Sequence, residues 1–199
     1  MEDIRIIKTK NRIQQAFIEM LQTKAFDRIN VTELCQKAQI SRITFYAHYH
    51  DKYDLLKQIE EELLKQASQS FESLQAQNNE QQDARQTYQN MLDCILSLFT
   101  MHGDFLQQIS QRRNPELFYS FYQRILDRVI SCIETEQSKL KPKVNSRRFS
   151  AFICNGLWAY IVECYHDQEK LEQIRIEAHT LLDGILHSEI MNQSEEVKS

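Results

Sequence analysis

Glycine and proline are scarce in this chain, with 3 Gly and 2 Pro among 199 residues. These two residues supply most of the tight turns between β-strands, so a sheet built from hairpins is disfavoured. Leu, Gln, Glu, Lys and Ala, which are good helix formers, are frequent instead. The scarcity of turn residues therefore predicts an all-α protein.

The cysteines and the hydropathy pattern indicate a soluble, cytoplasmic protein that does not enter a membrane. The cysteines are odd in number, widely spaced and without a C-x-x-C pair, which argues against a disulfide framework and a zinc ribbon. They are Cys35, Cys94, Cys132, Cys154 and Cys164. The N-terminus lacks the apolar stretch of a signal peptide. The most apolar run, 151–162, is far shorter than the roughly 18 residues that span a bilayer.

Charge is distributed unevenly along the chain. The net charge is -4, but residues 1–55 contain 9 Lys and Arg against 7 Asp and Glu, whereas the remainder contains 15 against 21. A mildly basic N-terminal part joined to an acidic body is compatible with one end facing phosphate groups.

Apolar residues recur with the three-and-four spacing of amphipathic helices and predict about nine of them. The predicted helices cover about 8–24, 31–38, 41–49, 51–75, 83–101, 105–111, 115–137, 144–165 and 171–191. Breaks are expected at His102-Gly103-Asp104, at Asn114-Pro115, around Pro142 and near Asp167. We expect two domains, an N-terminal DNA-binding domain over 1–51 and a helical ligand-binding and dimerisation domain over 52–199.

The second and third predicted helices are short and are joined by a tight turn after a supporting helix. This order is typical of the helix-turn-helix, which places its second short helix in the DNA major groove. The outer face of the third helix carries hydrogen-bond donors, opposite Phe45 and Tyr49 on the inner side. These donors are Arg42, Thr44, Tyr46 and His48. Arg can bind guanine in a bidentate manner, and the other types commonly hold phosphates. Thr32 and Lys52 lie at helix N-termini, which attract phosphate.

The segment from Val31 to Leu56, VTELCQKAQISRITFYAHYHDKYDLL, closely resembles the DNA-binding signature of the tetracycline-repressor (TetR) family. The preceding segment RIQQAFIEMLQTKAFDRI resembles it as well. The signature covers about the first 55 residues, and the later helices match the family in number and length. The resemblance implies a transcriptional regulator that binds double-stranded DNA at a palindromic operator.

Position by position, the resemblance implies a role for each residue of the motif. Ser41 and Arg42 would open the recognition helix, and Ile43 and Thr44 would face bases, although Ile43 is as well explained by packing against a neighbour. Tyr46, His48, Lys52 and Thr32 would hold the DNA backbone, and Ile40, Phe45 and Tyr49 would be core. The predicted DNA-binding residues are thus Thr32, Ser41, Arg42, Ile43, Thr44, Tyr46, His48 and Lys52. One departure is Gln39, which occupies the turn where the family often has Gly; a left-handed backbone there would cost about 1 kcal/mol.

The body carries no enzyme signature, so we expect no catalytic residue, no metal and no cofactor. A di-iron bundle needs two Glu-x-x-His pairs, and only Glu163 and His166 form one. His179, Asp183 and His187 share one side of the last helix and fit either a divalent metal or hydrogen-bonded pairs. A set of aromatic residues fits either the lining of an effector cavity or the core. They are Phe99, Phe105, Phe118, Tyr119, Phe121, Tyr122 and Trp158.

The helix over 144–165 is apolar on nearly all sides between 151 and 162, and Gly156 permits close approach of another helix. With the last helix, 171–191, it is expected to form the homodimer interface of TetR-like proteins. The sequence-based hypothesis is therefore a homodimeric repressor that a small-molecule effector releases from its operator. The alternative is a helical interaction or enzyme scaffold with a TetR-like head that does not bind specific DNA.

Overall fold

The computed structural model describes residues 4–110, 114–135 and 141–192, and it confirms the all-α class. In the described residues the α-helices are α1 (Ile4–Leu21), α2 (Val31–Ala38), α3 (Arg42–Tyr46), α4 (Lys52–Asn78), α5 (Ala84–Ser110), α6 (Pro115–Thr135), α7 (Ser146–His166) and α8 (Leu171–Leu186). A short 3₁₀ helix, Phe26–Arg28, precedes α2. Two-residue strands, β1 (Lys141–Pro142) and β2 (Met191–Asn192), pair antiparallel.

Two of the predicted helices, over about 83–101 and 105–111, are a single helix, α5. The predicted break is a kink at His102, whose φ of -134° and ψ of 24° are not helical. The helix resumes because its apolar stripe continues beyond the kink through Phe105, Leu106 and Ile109, which are all buried. The described residues therefore form eight α-helices, close to the nine predicted.

The chain divides into two compact units. The first comprises the chain up to residue 65 together with 104–119, and the second comprises 66–103 and the chain from 120 onward. The functional boundary predicted between residues 51 and 52 stays a prediction.

The core of the first unit is built on one face of α1. The buried residues of α1 are Ile13, Ala16, Phe17, Met20 and Leu21, which are the stripe that the sequence predicts. The ring of Phe17 meets the edge of Phe26 at a centroid distance of 6.0 Å. Phe26 is fixed from the other side as well, because its N–H donates to Oδ1 of the buried Asn114 at 2.8 Å.

The core of the second unit centres on Trp158 of α7. The indole contacts Phe99 of α5 and Phe121 of α6, with ring centroids 5.0 and 6.0 Å away. Both phenylalanines are fully buried, so these aromatic residues of the predicted cavity set belong to the core. No helix within the described ranges is long and apolar enough to cross a membrane.

Gly103, next to the kink in α5, leaves room for the ring of Tyr165. A Cβ added at Gly103 would lie 2.5 Å from Cζ of Tyr165, closer than carbon atoms pack. Glycine is therefore required here by packing against α7, and not by a positive φ, which no described glycine adopts.

We expect Gly103→Ala to lower the free energy of unfolding by about 1–2 kcal/mol, because overpacking costs more than the alanine gains in helix propensity. Thermal and urea denaturation measure this. Tyr165→Leu removes the ring, so the same Gly103→Ala change made in that background is expected to be neutral or stabilising. An equal loss in both backgrounds would contradict the packing explanation.

Candidate nucleic-acid interface

Helix α2 begins where Asn30 caps it. Asn30 has an extended backbone, and its Oδ1 accepts a hydrogen bond from the N–H of Glu33 at 2.9 Å. This bond satisfies one of the amides that a helix leaves unpaired in its first turn. Leu34, Cys35 and Ala38 are buried, which turns the opposite side of α2, including Thr32, toward solvent.

The turn between α2 and α3 depends on a left-handed glutamine. Gln39 has φ 53° and ψ 49°, and the next amide, that of Ile40, donates to the carbonyl of Cys35 at 3.0 Å. The carbonyl oxygen of Gln39 accepts a hydrogen bond of 3.1 Å from Nη2 of Arg12 on α1. A side chain of the supporting helix thus holds the backbone at the point where the chain reverses.

Helix α3 is five residues long and is capped by Ser41. The Ser41 hydroxyl accepts the N–H of Thr44 at 3.0 Å and lies 2.8 Å from the Thr44 hydroxyl. Phe45 is fully buried and Tyr49 is 2% exposed, so both are core, as the sequence predicts. Ile40, also predicted as core, is half-buried.

The outer face of α3 combines a cation with large exposed side chains. Arg42 is exposed, and its guanidinium lies 5.8 Å from the centre of the Tyr46 ring. Ile43 is 84% exposed and Tyr46 is 48% exposed, although both are large and partly or wholly apolar. The geometry agrees with the predicted outward direction of Arg42 and Tyr46, whose roles toward DNA stay predictions.

Thr44 and His48 are less accessible than the sequence suggested. Both side chains are half-buried. The hydroxyl of Thr44 forms a hydrogen bond with that of Ser41. The imidazole of His48 packs beside the ring of Tyr49, with ring centroids 6.4 Å apart. They border the exposed face without forming its centre.

Lys52, the first residue of α4, turns its side chain toward the first unit's own backbone. Its Nζ donates to the carbonyl oxygens of Phe26, Asp27 and Ile29 at 2.9, 2.9 and 2.8 Å. The same ammonium lies 4.8 Å from the centre of the Phe26 ring. The predicted phosphate contact of Lys52 therefore competes with three backbone acceptors. No sequence pattern signals this arrangement, because any residue provides a carbonyl.

Other cations around α2 are paired with carboxylates. Lys37 contacts Glu19 and Lys24 contacts Glu33, each at 2.8 Å. The hydrogen bond from Lys37 lowers the pKa of Glu19. Burial raises the pKa of the Cys35 thiol, on the inner side of α2, against a weaker opposing effect of Arg42. The charges of these two lysines are therefore balanced by the protein's own carboxylates.

The three residues weighed as a metal site in the last helix are engaged in hydrogen bonds. Nε2 of His179 lies 2.9 Å from Oδ1 of Asp93, and its Nδ1 bonds the Gln89 side chain. The imidazole of His187 bonds the carbonyl of Asp183 and the guanidinium of Arg85. In the part of the chain that the structure describes, no three His, Cys, Asp or Glu side chains are grouped to hold a metal ion.

Comparison with solved structures identifies the fold. A protein from Syntrophomonas wolfei str. Goettingen assigned to the TetR family of transcriptional regulators has a TM-score of 0.72, with 12% identity over 91% of this chain and 96% of that one. The chain has the TetR fold. A transcriptional regulator of the TetR/AcrR family from Aquifex aeolicus VF5 gives 0.61, with 17% identity over 89% of this chain and 99% of that one. A TetR transcriptional regulator from Streptococcus agalactiae 2603V has a TM-score of 0.52, with 23% identity over 89% of this chain and 95% of that one.

Sequence comparison finds one shorter match. An uncharacterized HTH-type transcriptional regulator of Bacillus subtilis (strain 168), YxbF, is 36% identical over 56 residues. The match covers 28% of this chain and 15% of that protein. No protein-family model matches the chain.

Replacing Gln39 tests the cost of the left-handed turn. We expect Gln39→Gly to raise the free energy of unfolding by about 1 kcal/mol, because glycine adopts a positive φ without steric cost. The carbonyl that Arg12 binds is retained, so the turn keeps its geometry. Urea denaturation measures the change. Gln36→Gly is the matched control inside α2, where glycine is expected to destabilise by a similar amount; a destabilised Gln39→Gly would contradict the prediction.

Proposed function

We propose that this protein is a sequence-specific DNA-binding transcriptional regulator of the TetR type. The observation that carries the proposal is the outer face of α3, where Ile43 is 84% exposed beside an exposed Arg42. A large aliphatic side chain gains nothing from facing water, whereas the floor of a DNA major groove offers it thymine methyl groups. The helix-turn-helix order of α1 to α3 and the TetR fold support the same conclusion.

In the proposed complex, α3 lies in the major groove. Arg42 binds O6 and N7 of a guanine, and Ile43 contacts the methyl group of a thymine. Thr32, Ser41, Thr44, Tyr46 and His48 lie around this pair and contact phosphates or neighbouring base edges. Phosphate contacts orient the protein, and the base contacts supply the specificity.

Selection from a randomised duplex library at moderate salt tests this function. We expect enrichment of a palindrome, and Arg42→Ala is expected to weaken binding to it by about 1–3 kcal/mol and to relax the preference for guanine. Arg128→Ala, which removes an exposed charge of α6 in the second unit, is the control. Failure to enrich any sequence would favour the alternative, a helical scaffold with a TetR-like head that does not bind specific DNA.

The contact of Ile43 can be tested by removing single methyl groups from the DNA. Exchanging one thymine of the enriched duplex for uracil is expected to weaken binding about fourfold, because a buried methyl or methylene contributes roughly 0.8 kcal/mol. Fluorescence anisotropy on duplexes substituted at one position at a time locates this thymine. In Ile43→Ala the same exchange is expected to have no effect. Equal sensitivity in both proteins would contradict the contact.

We further propose that the protein acts as a homodimer through α7 and α8. Phe152, Ile176 and Leu181 on these helices are 66%, 53% and 46% exposed, although each is large and apolar. A Cβ added at Gly156 of α7 or at Gly184 of α8 would meet no atom within 4 Å. Such an open apolar surface with small residues fits close packing against a second copy. A two-fold dimer would present two α3 helices to the halves of a palindrome.

Charge placed on this face is expected to separate the dimer. Leu181→Glu should yield a monomer by sedimentation velocity, because it would bury an unpaired carboxylate between two copies. Met101→Glu alters an apolar residue of α5 that is 56% exposed, and it is expected to leave the dimer intact. A dimeric Leu181→Glu protein, or a wild-type protein that sediments as a monomer, would contradict the proposed interface.

We also propose that the protein is a repressor and that a small, apolar effector molecule releases it from DNA. The second unit contains a cavity of about 30 Å³ lined by α5, α6, α7 and α8, with residues such as Met91, Phe149 and Leu182 on its wall. Burial raises the pKa of Cys154, another lining residue, to about 12, so the wall carries no charge there. Sites for drug-sized ligands occupy roughly 300–1,000 Å³. An effector bound here is therefore small, or it enlarges the cavity as it binds.

A further inference from the structure

The side chain of Lys52 makes a tripod of hydrogen bonds. An ammonium group has three N–H donors. Carbonyl oxygens of Phe26, Asp27 and Ile29 receive them at 2.9, 2.9 and 2.8 Å, and the rings of Phe26 and Tyr53 lie 4.8 and 5.5 Å from Nζ. The donors are thus all used inside the protein, and aromatic faces stabilise the same charge.

The position of Lys52 in its helix makes this arrangement informative. It is the first residue of α4, where the helix dipole disfavours a positive side chain. The amides of Tyr53 and Asp54 each donate to Oδ1 of Asp51 at 2.8 Å, which provides the acidic cap that such an end favours. A lysine beside that cap gains its stability from the three carbonyls, and not from the helix that carries it.

The carbonyls that Lys52 binds belong to the segment that leads into α2. Phe26 and Asp27 lie in the 3₁₀ helix, and the last carbonyl, that of Ile29, belongs to the residue before the N-cap Asn30. Ile29 is 1% exposed and is anchored in the core. Lys52 therefore ties the start of α4 to the backbone from which α2, and with it Thr32, begins.

We propose that Lys52 is a positioning residue of the DNA-binding surface: it fixes the backbone entering α2 and does not itself hold a phosphate. The expected effect on DNA binding rests on the proposed function, whereas the expected effect on the free protein rests on the tripod alone. The two can be measured separately.

Amide hydrogen exchange of the free protein tests the tripod without DNA. In Lys52→Met the amides of Glu33 and Leu34, which bond Asn30 at 2.9 and 3.1 Å, are expected to exchange about tenfold faster, because the entry to α2 loses three charge-assisted hydrogen bonds. Lys57→Met is the matched control: Lys57 is an exposed lysine of α4 that pairs with Glu61 at 3.8 Å. Unchanged exchange in Lys52→Met would overturn the proposal.

Salt-dependent binding to the enriched duplex, at a temperature where each variant is folded, tests the second consequence. Lys52→Met is expected to bind about tenfold more weakly with an unchanged dependence of log K on log salt, whereas loss of a phosphate contact lowers that slope by about 0.9 per site. Lys52→Arg keeps the charge, but a planar guanidinium cannot direct donors at three converging carbonyls. We expect Arg to fail to restore affinity.

Restored affinity and slope in Lys52→Arg, together with a reduced slope in Lys52→Met, would show a phosphate contact and overturn the proposal. Should Lys52→Met not fold, Lys52→Arg carries both measurements, since the tripod predicts faster exchange there too. If wild-type protein enriches no duplex while exchange accelerates as expected, the tripod is supported and the proposed DNA function fails.

Discussion

The burial of Phe45 is the constraint on which the proposed DNA-binding surface depends. A helix of five residues is too short to be stable by its own hydrogen bonds, so α3 exists because its inner side is anchored in the core. With Phe45 fully buried and Tyr49 nearly so, the direction of every other side chain of α3 is decided. Arg42 and Ile43 face outward for this reason, whatever they contact. The chemistry of the surface therefore follows from the packing beneath it.

The sequence predicts those features that repeat along the chain and those that involve neighbouring residues. The buried stripe of α1 from Ile13 to Leu21 follows from its spacing, and the cap of α3 at Ser41 follows from local hydroxyl chemistry. The bonds of Arg12 to Gln39 and of Lys52 to the segment before α2 could not be predicted. Each joins a long, flexible side chain to a carbonyl more than twenty residues away, and carbonyls leave no mark in a sequence.

The scarcity of glycine has a structural consequence beyond the choice of fold. In the described residues, the non-glycine positions with positive φ are Gln39, Gln82 and Gln168, with φ of 53°, 54° and 58°. Each stands beside a helix end, where glycine is the usual choice. No described glycine has a positive φ, so in this part of the chain glutamine makes the left-handed turns. A left-handed glutamine costs about 1 kcal/mol, and surrounding hydrogen bonds must offset that cost.

Several cations of the helix-turn-helix region are bound within the protein, so the net charge of the region overstates its attraction for DNA. Lys24 and Lys37 are paired with carboxylates, and the cations of Arg12 and Lys52 bind carbonyls. Cations that hold the protein's own backbone release no counterions from DNA, so they add little to nonspecific affinity. What they add is a fixed arrangement of α2 and α3. In the proposed function, specificity on this surface depends on the placement of a few outward groups, Arg42 and Ile43 foremost, because charge alone attracts every duplex equally.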